Sequence, residues 1–202
     1  MSQFLSIDCA TVVNREIRGE SSLYIIAYSP THSIMQTMKK IPSKKTSVMP
    51  DLFDDISFDC EMSSPTSLKF IKEFSIKKRR TAVAASYDSF EQAALIAQTV
   101  LANGRHIEDS ATLSHRLRMS LDSIAEGAPA EIVRLKFMYL LARDEGYAVR
   151  EDFYARLPAQ KKELFSVLIK TPSAELKEFK TRSADILESL CRWIYANTDI
   201  QE

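Results

Sequence analysis

At 202 residues the chain has room for one domain or two modest ones, and its 45% hydrophobic and 27% charged residues lie in the ordinary globular range. Lysine plus arginine equals aspartate plus glutamate at 27 each, which excludes a chain that is polycationic overall, so any nucleic-acid footprint has to be local. Cys9, Cys60 and Cys191 are far apart with no paired spacing, which excludes a disulfide framework and a zinc ribbon and fits a reducing, cytoplasmic setting; no apolar run reaches membrane-spanning length.

The first 80 residues have strand logic. Cys9 to Ile17 is rich in β-branched residues, Gly19 breaks it, Leu23 to Tyr28 follows as a nearly unbroken apolar run, and Pro30 interrupts again. Ile34 to Lys40 makes a third run, and Ile41 to Lys45 reads as a loop because Pro42 fixes φ and lacks a donor. The period is cleanest in the fourth segment, where Ile56, Phe58, Cys60 and Met62 alternate with Ser57, Asp59 and Glu61. In the fifth, Leu68, Phe70, Phe74 and Ile76 are expected on one face, with Ile71 and Lys72 out of phase. Five short strands in about 80 residues predict a small closed barrel, since closure removes exposed edges.

After Arg80 the period changes to about 3.6. Asp88 and Glu91 form a capping-box pair for a first helix carrying Phe90, Ala94, Ala97 and Leu101, with Gly104 expected to close it in a left-handed conformation. A second helix is predicted from Ser110 to Gly127 on Leu113, Leu117, Leu121 and Ile124. Pro129 then opens a third, apolar nearly all round from Ile132 to Leu141 and therefore central. Pro158 to Ile169 and Ser173 to about Ala196 complete a helical second part. The expected class is α+β, strands then helices, divided into residues 1–80 and 81–202.

Catalytic signals are few. The chain has four glycines and lacks a nucleophile elbow, a phosphate-binding loop and a His-Glu-x-x-His pair. His32, His106 and His115 have no second ligand at metal spacing, and Asp59 and Glu61 of the acidic run Asp51 to Glu61 read as the wet face of a strand. Basic groups are distributed unevenly: residues 1–80 carry 12 basic against 9 acidic side chains, and residues 81–202 carry 15 against 18. Lys39, Lys40, Lys44 and Lys45 cluster at the exit of the third strand and Lys78, Arg79 and Arg80 at the exit of the fifth, while Arg15 and Arg18 precede the Gly19 turn. Such groups can neutralise neighbouring phosphates, or simply solubilise loops. Tyr24 and Tyr28 share a strand face and suit either base stacking or the core.

The order of a Gly19-Glu20 turn, an apolar strand, a Pro30-Thr31-His32-Ser33 turn and a strand ending in Lys39-Lys40 resembles the N-terminal OB domain of the RecO family of bacterial recombination mediators. In that family the second turn is Thr-x-x-Gly and the basic loop Lys-Gly; Pro30-Thr31-His32-Ser33 matches the turn without its glycine, and Lys39-Lys40 matches the loop with lysine in place of glycine. The run from Pro129 to Gly146-Tyr147 is similar to the family's buried helix. Many members place a four-cysteine zinc element after the Gly-Tyr pair, whereas Ala148 to Leu157 contains no cysteine, so no zinc and no other cofactor is expected.

The resemblance implies an OB-like barrel followed by an all-helical domain, and a non-enzymatic role in DNA repair and recombination. It implies binding of single- and double-stranded DNA, annealing of complementary strands, and action with RecR on DNA coated by single-strand-binding protein, whose C-terminal tail would be a partner, to promote RecA loading. With that role, the candidate DNA contacts are the clustered basic residues Arg15, Arg18, Lys39, Lys40, Lys44, Lys45, Lys78, Arg79 and Arg80. The alternative is an adaptor of the same build that binds proteins and little or no DNA.

Overall fold

A computed structural model of the chain describes residues 3–41, 48–62 and 68–201. The strands are β1 (Gln3–Arg18), β2 (Ser22–Ser29), β3 (Ser33–Lys40), β4 (Asp55–Met62) and β5 (Lys69–Lys78). They form a closed barrel in the order β1-β2-β3-β5-β4, because the long β1 pairs with β4 along its first half and with β2 along its second. Register shifts at Ile7/Ala10 and Val12/Asn14 each insert an extra residue into β1, and such bulges bend a strand enough to serve two neighbours. The closing seam is the short parallel pairing of β3 with β5, limited to Thr37 with Lys69 and Met38 with Phe70.

Ile7, Val12, Leu23, Ile25, Ala27, Met35, Ile56, Phe58, Cys60 and Ile71 fill the barrel. Each fully buried aliphatic side chain stabilises by roughly 1.5–3 kcal/mol. The expected alternation of Ile56, Phe58 and Cys60 is observed, while the side chain of Met62 lies outside the described residues. The expectation for β5 needs correction. Asp59 pairs with Glu73 and Cys60 with Ile71, so Lys72 is an extra residue in β5, and the strand changes phase there. Ile71 therefore enters the core and Phe70 faces solvent, 52% exposed.

Two turns show how local chemistry closes the hairpins. Gly19 has φ +64, the left-handed region in which a Cβ is strained. Ser33 adopts the same conformation at φ 54, and its hydroxyl donates to the Gly104 carbonyl.

The helices are α1 (Tyr87–Asn103), α2 (Ser110–Ala125), α3 (Ala130–Asp144), α4 (Ala159–Lys170) and α5 (Lys180–Asn197). The N-terminal cap of α1 is Ser86, whose hydroxyl accepts the Ser89 N–H at 3.1 Å, rather than Asp88, which pairs with Lys180. Its buried face runs through Ala93, Ile96, Ala97 and Val100, and Gly104 is not left-handed. The predicted face of α2 is buried throughout, and Gly127 ends it at φ +86. In α3, Ile132, Val133, Leu135, Phe137, Met138 and Leu141 are all buried, and α1, α4 and α5 pack on it.

Two segments differ from expectation. Val149–Tyr154 forms a π-helical turn, and the last helix begins at Lys180, after two 3-10 turns flanking the buried Leu176 at φ −101 and ψ 21. The chain divides into one compact unit of residues 1–80 with 104–114 and a second of residues 81–103 with 115–202, so the segment after α1 belongs to the barrel unit and not to the helical one. No helix among the described residues is long and apolar enough to cross a membrane.

Candidate functional site

The nine basic residues singled out from the sequence separate by what holds them. Arg80 is a correction: its side chain is fully buried, bonded to the Asp55 carboxylate at 2.8 Å and the Phe53 carbonyl at 2.7 Å, so it cannot reach a phosphate. Asp55 also accepts the Thr11 hydroxyl at 2.7 Å. Arg79 reaches the Met49 carbonyl at 2.9 Å and Asp54 at 3.6 Å, and Arg15 bonds Asp51 at 2.7 Å. The acidic run and three arginines thus clasp the segment before β4 onto the barrel, reinforced by backbone bonds between Val12 and both Phe53 and Asp54. Two nearby acids respond oppositely. Burial pushes Asp54 up, against the Asp51 N–H and Arg79, whereas Asp51, despite partial burial, is held low by Arg15 and the Leu52 N–H.

Lys39 also has a structural task. Its register partner is Leu23, on the barrel's inner face, and its ammonium donates to the Lys72 carbonyl at 2.5 Å and the Ile71 carbonyl at 3.4 Å. Backbone pairing of β3 with β5 stops at Met38 and Phe70, and Lys39 prolongs the seam with its side chain at the β5 bulge. Burial lowers its pKa, partly offset by the charge of Glu73.

Arg18 and Lys40 face outward. Both are register partners of Ser22, so three adjacent strands place an arginine and a lysine on either side of a small hydroxyl residue. Lys40 is exposed and has no ion pair among the described residues. Arg18 bonds Glu16 at 3.1 Å and lies 3.8 Å over the Tyr24 ring, leaving half of its side chain exposed. Tyr24 is 9% exposed and Tyr28 fully buried, which commits Tyr28 to the interior and Tyr24 to supporting the arginine. Lys78 is exposed, opposite Asp55 in the ladder. Lys44 and Lys45 lie outside the described residues.

One residue of this face departs from the sequence expectation. Phe70 sits in a cross-strand row with Met38 and Tyr24, and only the bulge at Lys72 reveals that it points outward. A groove of about 240 Å³ on β1, β4 and β5 has different chemistry, lined by Asp8, Asp59 and Glu73 with Lys77. The helical unit has a cavity of about 170 Å³ walled by Tyr139, Tyr154, Phe165 and Ile169, with Arg150 and Lys170 in its lining. Phe165 meets Tyr139 edge-on at 5.5 Å there. His32 bonds Thr31 at 2.7 Å, His106 and His115 are exposed, and no group of three or more metal-ligating side chains occurs among the described residues.

No protein-family model matches the chain, and no curated protein shows significant sequence similarity to it.

Proposed function

We propose that the chain is a RecO-like factor that binds DNA and anneals complementary strands. The observation that carries this reading is the row Arg18, Ser22 and Lys40, which presents two outward cations on adjoining strands of a small barrel, with Lys44 and Lys45 following soon after in sequence. Neutralising phosphates on one strand lowers the electrostatic cost of bringing a second strand close, and annealing needs no covalent chemistry. In this reading RecR and the tail of single-strand-binding protein are partners, and the aromatic cavity near Arg150 and Lys170 suits an apolar peptide end bearing a negative charge.

The protein-only adaptor is favoured by one observation: Arg15, Arg79 and Arg80 are all neutralised by the barrel's own acids. Fluorescence anisotropy with a labelled single strand, repeated across a salt series, separates the two. Binding at low salt that weakens steeply with added salt supports the DNA factor, and acceleration of annealing of complementary oligonucleotides extends it. No binding at low salt favours the adaptor.

A further inference from the structure

The outer face beside the Arg18 and Lys40 row carries more than charge. Tyr24 on β2, Met38 on β3 and Phe70 on β5 are successive register partners, so they share one row across three strands. The row continues to Glu61 on β4 and Phe4 on β1, where Phe4 is 75% exposed and Glu61 is neutralised by Lys72 at 2.6 Å. Phe70 is out in solvent although Ile71 beside it is buried, and the change of phase at Lys72 keeps it there. Leaving an aromatic ring exposed forfeits burial energy that the core could have gained.

We propose that Phe70 and the open plane of Arg18 are stacking surfaces for unpaired bases, which makes this face selective for single-stranded over duplex DNA. The inference rests on the DNA-binding reading above and names the form of DNA that it prefers. Tyr24 backs the Arg18 guanidinium, whose carbon lies 3.8 Å from the ring centroid, and half of the arginine side chain stays exposed, where a base can stack on it. The Tyr24 and Phe70 strands are two ladder steps apart, roughly 10 Å at about 4.8 Å per step, enough to seat bases at separate places along one strand. Lys40 is beside the row to neutralise the connecting phosphates. A duplex hides its base faces inside the stack and offers this surface only phosphates and groove edges, whereas every unpaired base offers a π-face. The cations therefore serve both forms of DNA, and Phe70 serves one.

The test measures the full chain, unaltered and as Phe70→Ala and Phe70→Trp, against labelled oligothymidylate and a duplex of equal length. Because Phe70 is half-exposed, thermal melts should show both variants folded. Phe70→Ala is expected to lose roughly tenfold in single-strand affinity, with little change in duplex affinity or salt slope. Phe70→Trp is expected to restore binding, with its emission quenched by oligothymidylate after subtraction of the native Trp193 signal. An unchanged single-strand affinity in Phe70→Ala, or an equal loss for both forms, overturns the stacking role and leaves the cationic reading standing. Absence of any DNA binding by the unaltered protein overturns both.

Discussion

Two groups of cations in the barrel unit contrast sharply. Arg79 and Arg80 follow β5 and meet carboxylates that the fold brings to them, Asp54 and Asp55, with the Arg80 side chain shut off from water. Arg18 and Lys40 end β1 and β3 and meet Ser22, so their charge stays at the surface. In sequence both groups are basic residues at strand exits. Whether a cation becomes a structural clasp or a binding group is decided by the side chains that the fold brings beside it, which can come from tens of positions away along the chain.

The largest expected effect breaks the clasp. Arg80→Ala leaves Asp55 buried without its guanidinium, and removing one partner of a buried pair costs about 3–5 kcal/mol. Urea unfolding should show that loss, and a cost near that of an exposed pair would mean the clasp is dispensable. On the other side of the contrast, Arg18→Ala with Lys40→Ala should leave stability nearly unchanged and weaken single-strand binding for all sequences alike. The log–log salt slope should also shrink, by about 0.7 for each phosphate no longer neutralised. An unchanged slope would remove this rim from the DNA site.

Lys39 lies between the two groups in character. Lys39→Met should destabilise by about 1 kcal/mol by leaving the bulge carbonyls unbonded, and should speed hydrogen exchange along β5 near Ile71 and Lys72 without altering the salt slope. If it changes the slope as much as Lys40→Ala does, the seam is not its main task.

The smallest effects are a pair of opposite pH dependences within one loop. Asp54 is raised in the folded protein, so the native state holds the proton more tightly than the unfolded chain, and stability falls as pH rises between the unfolded and folded values. Asp54→Asn should therefore be neutral or slightly stabilising at pH 7, with the difference vanishing in acid. Asp51 is lowered, so it contributes stability above its unfolded pKa that is lost as pH falls through the folded value. Asp51→Asn should cost about 0.2–1 kcal/mol at pH 7 and nothing in strong acid. Equal signs for the two would contradict the assigned environments.

Features carried by local period are legible in the sequence. The alternation of Ile56, Phe58 and Cys60 and the nearly all-apolar α3 each follow from residues within one element. Features that depend on a distant partner are not. Ile71 and Lys72 break the local period, but that Lys72 is the extra residue of β5 is a relation to β4, and the exposure of Phe70 is hidden with it. Arg80 has the same charge as Arg79 and sits next to it, yet only the arrival of Asp55 from 25 positions earlier makes it interior. The period alone starts α5 too early because Leu176 fits it, although that residue is buried from a non-helical turn. Of the candidate interface, the cations Arg18 and Lys40 can be read in advance, whereas the aromatic row requires the cross-strand register.

The extra residue in β5 also has a genetic consequence. Loss of the single codon for Lys72 would remove the bulge and leave Glu73 opposite Asp59, Ile71 opposite Cys60 and Phe70 opposite Glu61 in unbroken alternation, so that Phe70 would stay outward and Ile71 inward. One in-frame deletion would thus cost the barrel its bulge, and with it the carbonyl that Lys39 bonds, without moving the aromatic surface.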